Sequence, residues 1–257
     1  VATGRFALEE VRYGEVRPGR LAGTLDARGD GLLRVQADAP ALPAAAEATI
    51  ALAAPFAYQA SVTVSEFDLR RLGETGLLDE ARAGVADGIL SARLRAEGTL
   101  ERPAESMLVA DLVAYSGLVY GVPVTLEAPS TVRVSSAELS SEGLAFRTGA
   151  TKVLARGTLG RGETGRFAVD VTGRVEDLLP ALTRATGLGS VGNGAVALSV
   201  AAVGGIDAPR LTGRVSLTDV FLQADRRPGL TVFSLDAALD GGTLDLQHAT
   251  GRLGGAD

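Results

Sequence analysis

Apolar and polar residues alternate one for one along most of this chain, and that period restricts the backbone to extended strands with one oily and one wet face. Between Leu90 and Leu100, the apolar Leu90, Ala92, Leu94, Ala96 and Leu100 interleave with Ser91, Arg93, Arg95, Glu97 and Thr99. From Arg166 to Glu176, Phe167, Val169, Val171 and Val175 oppose Arg166, Asp170, Thr172, Arg174 and Glu176. The same design recurs in Leu33/Val35/Ala37, Ala60/Val62/Val64, Val132/Val134 and Leu211/Val215/Leu217. The expected class is all-β with two short helices, in roughly sixteen to twenty strands.

Turn signals fall at short intervals: Arg28-Gly29-Asp30-Gly31, Ala86-Asp87-Gly88, Glu142-Gly143, Arg161-Gly162-Glu163, Asn193-Gly194 and Asp240-Gly241-Gly242. Asp-Gly and Asn-Gly supply the positive φ of tight hairpins, which predicts a mostly antiparallel meander. Gly98, Gly157, Gly173, Gly204 and Gly213 sit inside strand patterns, where glycine marks bulges and bends, so the sheet is expected to curl. Two segments read as helices, Asp68 to about Arg82 and Asp177 to about Thr186. Each opens on an Asp suited to the N-terminus and continues with closely spaced Leu. Pro180 is placed in the first turn, where it is tolerated.

The text also repeats. Gly88, Gly98 and Pro103 return as Gly194, Gly204 and Pro209, each 106 residues later (194 − 88, 204 − 98, 209 − 103). An elongated array follows, in which each unit packs mainly on its neighbours. The expected divisions are 1–67, the end of a preceding unit; 68–176, a complete unit of short helix then strands; and 177–257, the next unit, truncated. Both ends fall within strand-like text, which predicts a piece of something longer.

Composition removes several functions. Twenty-five Lys and Arg against 31 Asp and Glu give a net charge of −6, with the basic residues scattered singly, so nucleic acid is not an expected partner. The chain has no Cys and a single histidine, His248, so no nucleophilic triad or common metal-ligand spacing can be assembled. Neither enzymatic activity nor a cofactor or metal is expected. His248 shares strand parity with Leu244 and Leu246, and lies either inward or past a local register change. Gly187-Leu-Gly189-Ser-Val-Gly192 matches a dinucleotide fingerprint in letters, but helix precedes and strand follows, the reverse of what that motif requires.

The aliphatic faces must be covered by a second layer or by a ligand. The repeat, the missing helix layer and an aromatic content of only 4% favour an extended sheet lined with Leu and Val. The candidate lining residues are Leu90, Leu94, Val132, Val134, Phe167, Val169, Val171, Val196, Leu198, Val200, Val215, Leu217, Phe233 and Leu235. Their alternating neighbours Arg93, Arg95, Asp170 and Arg174 are expected to be exposed. A closed β-sandwich or barrel core, a structural β-solenoid, and a scaffold acting by strand addition at an open edge remain open as alternatives.

The passages Val62-Thr-Val-Ser-Glu-Phe-Asp-Leu-Arg-Arg-Leu72 and Val169-Asp-Val-Thr-Gly-Arg-Val-Glu-Asp-Leu-Leu179, with the run Gly204-Gly-Ile206, Pro209, Leu211-Thr-Gly213-Arg-Val215, resemble the TamB/AsmA-like group of repetitive-groove, bridge-like lipid-transfer proteins. The resemblance covers nearly the whole chain. It implies a β-taco, a long curled sheet forming an open U-shaped groove, apolar inside and polar outside. Through it phospholipid acyl chains would pass across the periplasm of a double-membrane bacterium. It further implies an inner-membrane anchor in a segment outside this chain, and an outer-membrane barrel protein as partner of the full-length molecule.

Overall fold

The computed structural model describes residues 2–13, 16–39, 44–71, 86–162, 164–186, 190–224 and 230–253. Sixteen strands form one antiparallel sheet whose spatial order follows the sequence, except that β9 pairs with both β7 and β10 off the main path. The chain divides into two units. Unit 1, Val1–Gly117 with Ala128–Leu139, holds β1 (Ala2–Tyr13), β2 (Val16–Ala27), β3 (Leu32–Ala39), β4 (Ala44–Ala51), β5 (Ala57–Asp68), β6 (Ala86–Thr99), most of β7 (Met107–Val119) and β9 (Ser130–Val134). Unit 2, Leu118–Glu127 with Ser140–Asp257, holds β8 (Val122–Leu126), most of β10 (Glu138–Thr148), β11 (Thr151–Gly160), β12 (Arg166–Arg174), helix α1 (Val175–Thr186), β13 (Ser190–Val203), β14 (Arg210–Ala224), β15 (Leu230–Asp240) and β16 (Thr243–Leu253).

Directly opposed residues of an antiparallel pair point to the same side, so the registers assign every strand's faces. In unit 1, Val35, Ala48, Ala60 and Ala96 form one row, and Gln36, Glu47, Ser61 and Arg95 the next. In unit 2, Ala155, Val169, Val200, Gly213, Leu239 and Leu244 are followed by Leu154, Asp170, Ser199, Arg214, Ala238 and Asp245. Alternation along each strand thus becomes an aliphatic face and a charged face in each unit.

Three expected turns lie inside strands instead. Glu142-Gly143 falls within β10, Ala86-Asp87-Gly88 within β6, and Asn193-Gly194 within β13. Gly88 and Gly194 have φ of 122° and 128°, positive as in a tight hairpin but larger than the 56–93° of the connecting glycines, and here they bend a continuing strand. At Gly88 the bend lets the backbone press against Gly117: a Cβ on Gly88 would lie 2.4 Å from the Gly117 Cα. The turns at Gly29, Gly31, Gly241 and Gly242 connect strands as expected.

Among the described residues there is one α-helix, not two. Strand β5 runs through Asp68, whose carboxylate accepts the Arg70 amide at 3.0 Å, and Arg70 and Arg71 are helical. The rest of the expected first helix lies outside the described residues. Helix α1 starts at Val175, two residues before the expected start, so Asp177 is its third residue. Pro180 therefore falls in the second turn, where its ring lacks the N–H that would bond the Glu176 carbonyl. Its ring lies against Gly121, where an added Cβ would come to 3.7 Å, an ordinary contact.

Candidate functional site

The aliphatic faces are built without charge. At the paired positions of β2–β6 and β11–β16, no Asp, Glu, Lys or Arg shares a register row with the aliphatic set. In unit 1, Val62 opposes Leu94 and Phe67 opposes Leu90, while Leu108 and Ala110 of β7 oppose Val134 and Val132 of β9. Arg95 reaches Asp111 at 2.8 Å, so β6 and β7 share their charged side, and Leu94 and Leu108 share the other. In unit 2, Val171, Leu198 and Val215 are aligned, as are Val196, Leu217 and Leu235, with Phe167 and Phe233 on the same side. The structure thus brings Leu90, Leu94, Val132 and Val134 to one face of unit 1. It brings Phe167, Val169, Val171, Val196, Leu198, Val200, Val215, Leu217, Phe233 and Leu235 to one face of unit 2.

That face is not sealed. Of these candidate residues Val171 is buried and the others are partly open; Leu94 and Val134 are 37% and 41% exposed, and Leu244 and Leu246 of the same face in β16 reach 65% and 57%. Within the same face Phe67, Ala92, Val171, Val220 and Ala237 are buried. Helix α1, the only α-helix among the described residues, packs on β8, β12 and β13.

The opposite side is held by charge. Arg93, Arg95 and Arg174 are exposed as expected, whereas Asp170 is half-buried: it accepts the Ser199 hydroxyl at 2.6 Å and stands 3.8 Å from Arg156. Asp111 accepts the Thr131 hydroxyl at 2.8 Å as well as Arg95, and these contacts, the Thr131 bond foremost, hold its carboxyl below its ordinary value. Glu127 is likewise lowered, by Lys152 at 2.7 Å and by Arg147. These partners could not be read from sequence, because cross-strand neighbours are fixed only by register. Recesses also occur on this side. One of about 410 Å³ in unit 1 is bordered by Glu47, Gln59, Ser61, Arg95, Glu97 and Met107.

No family model, curated protein or solved structure matches this chain.

His248 is settled by a register change. Ala237 pairs with Leu246, but Asp236 pairs with His248, so the extra residue Gln247 turns the imidazole to the charged side, opposite a carboxylate. Of the Gly187-Leu-Gly189-Ser-Val-Gly192 stretch, residues 187–189 lie outside the described residues; α1 precedes them, and Ser190 to Gly192 open β13. Among the described residues, no group of three or more His, Cys, Asp or Glu could hold a metal ion, and no helix is long and apolar enough to cross a membrane.

Proposed function

We propose that the aliphatic face is a ligand surface, a non-enzymatic segment of an open, U-shaped, repeat-built groove that receives the acyl chains of phospholipids. The observation that carries this reading is the combination of a charge-free aliphatic face with partial exposure of most of its side chains. Soluble proteins seldom leave contiguous apolar patches larger than roughly a few hundred Å² open to water unless something binds there. Val, Leu and Ala offer an acyl chain dispersion contacts and no competing hydrogen bonds. A closed sandwich would bury these same side chains, so the exposure of Leu94, Val134 and Leu246 weighs against it.

Together with the resemblance to TamB/AsmA-like proteins, this reading makes the chain part of a periplasm-spanning bridge that conducts phospholipid between inner and outer membranes. The test is direct capture. Photo-crosslinkers at Leu94 and Val169 should trap phospholipid, identified by mass spectrometry after solvent extraction, whereas crosslinkers at Arg95 and Arg174 should not. Equal capture from both faces, or none from either, would refute the groove.

A further inference from the structure

The charged side of unit 2 holds a feature that the groove does not use. A recess of about 410 Å³ lies where β12 and β14 begin and β13 ends, bordered by Arg166, Ser199, Thr212, Gly213 and Arg214. The registers explain why both arginines border it. Arg166 of β12 and Arg214 of β14 flank β13 from opposite sides, and the residues between them are the alanines Ala168 and Ala201, which oppose each other. Although both alanines sit on the charged face, they are buried, at 9% and 2% exposure. Long cationic side chains cover small neighbours in this way, laying their methylenes over the sheet and keeping their heads in water.

The two guanidinium groups also differ from their neighbours in lacking an anion among the described residues. Arg210 is bonded to Asp240 at 2.7 Å, Arg174 to Glu176 at 2.8 Å, and Arg156 stands 3.8 Å from Asp170. Neither Arg166 nor Arg214 has an ion-pair or hydrogen-bond partner among the described residues. The nearest carboxylate in the Arg214 row is that of Asp170, already committed to Arg156 and to the Ser199 hydroxyl. Asp245 is two strands away from Arg214, beyond Ala238. Because Ser199 donates its proton to Asp170, the free hydroxyl donor at the recess is that of Thr212.

We infer that this recess is an oxyanion site for a phosphate group, with Arg166 and Arg214 as opposed guanidinium donors and Thr212 as the hydroxyl donor. Two planar forks and a hydroxyl match the several acceptor oxygens of a phosphate monoester or inorganic phosphate better than the single plane of a carboxylate. Ligation is electrostatic and partly solvated, so it weakens with salt. The site is on the opposite side of the sheet from the aliphatic face, and its test is independent of the lipid reading.

Titration calorimetry of the 257-residue chain with inorganic phosphate at low ionic strength, with chloride as control, reads the site. A parallel arm measures sedimentation with phosphatidylcholine vesicles, with and without phosphatidic acid, whose headgroup is a phosphate monoester. Arg166→Gln and Arg214→Gln should each weaken binding on the order of tenfold, and Arg166→Lys by less, since it keeps the charge and loses the fork. Arg174→Gln, which removes a paired arginine from the same face, should change nothing. Binding of free phosphate identifies a soluble ligand, and binding to phosphatidic acid vesicles alone identifies a headgroup. Absence of both, or binding that survives Arg166→Gln and Arg214→Gln, would overturn the assignment.

Discussion

The hydroxyl of Thr151, wholly buried in the first residue of β11, donates to Asp177 Oδ2 at 2.8 Å and accepts the Arg174 amide at 2.8 Å. Asp177 Oδ2 also accepts the Ala150 amide at 3.0 Å, so one carboxylate in the first turn of α1 fastens the helix to the β10–β11 turn. Thr151→Val keeps the shape and deletes both bonds, leaving the Arg174 amide without a partner. A loss of about 1–3 kcal/mol is expected in urea unfolding, with Thr151→Ser closer to the parent. An unchanged midpoint for Thr151→Val would show that this junction contributes nothing.

Asp111 predicts a pH dependence of known sign. Its carboxyl is held below the ordinary 3.8 by Thr131 and Arg95 in the folded state, so its contribution is present above that value and is lost as pH falls through the lower, folded one. Asp111→Asn should therefore cost stability at neutral pH, and the gap to the parent should close on acidification. Since the Arg95 side chain is 55% exposed, solvent screening limits the pair to at most about 1 kcal/mol. A gap that widens in acid would contradict the assignment.

The contact between β6 and β7 predicts a sensitive position. Gly88→Ala must adopt φ near 122° and also place a methyl 2.4 Å from the Gly117 Cα and the Ser116 carbonyl oxygen. Strain of this kind costs roughly 1–3 kcal/mol before any clash is counted. Gly29→Ala, with φ of 82° and nothing within 4 Å of its Cβ, isolates the conformational part and should cost less. Equal midpoints for the two variants in guanidinium unfolding would mean that the strands separate easily at Gly88.

Charge placed on the aliphatic face separates an open surface from a sealed core. Leu94→Arg replaces a side chain already 37% exposed, so it should forfeit only about 1 kcal/mol of the usual burial term and leave the circular dichroism spectrum intact. Val169→Asp should cost more, because its carboxylate must reach water past aliphatic neighbours. Displacement of a bound fluorescent fatty acid should report uptake weakened on the order of tenfold in both. Global unfolding by Leu94→Arg would favour a sealed core.

The class of fold was legible because alternation is a local property: Phe167, Val169 and Val171 share a side whatever their partners are. Glycines misled because positive φ serves two purposes. Positive φ at Gly88 and Gly194 closes a hairpin or bends a strand, and what selects the bend is the neighbouring strand, more than twenty residues away in sequence. Asp177 was recognisable as a residue of the helix start, but its attachment to Thr151 was not, since that bond crosses from a helix to a distant turn.

The sequence by itself determined the all-β antiparallel class and which side of each regular strand is oily, because side-chain direction in an extended chain depends only on parity. Only the tertiary structure decided which residues stand opposite one another. Register is a sum of non-local pairings, and a single extra residue reverses it, as Gln247 does in carrying His248 to the charged side opposite Asp236. The same pairings set Asp111 between Arg95 and Thr131, and bring Arg166 and Arg214 to one recess with no ion-pair partner among the described residues.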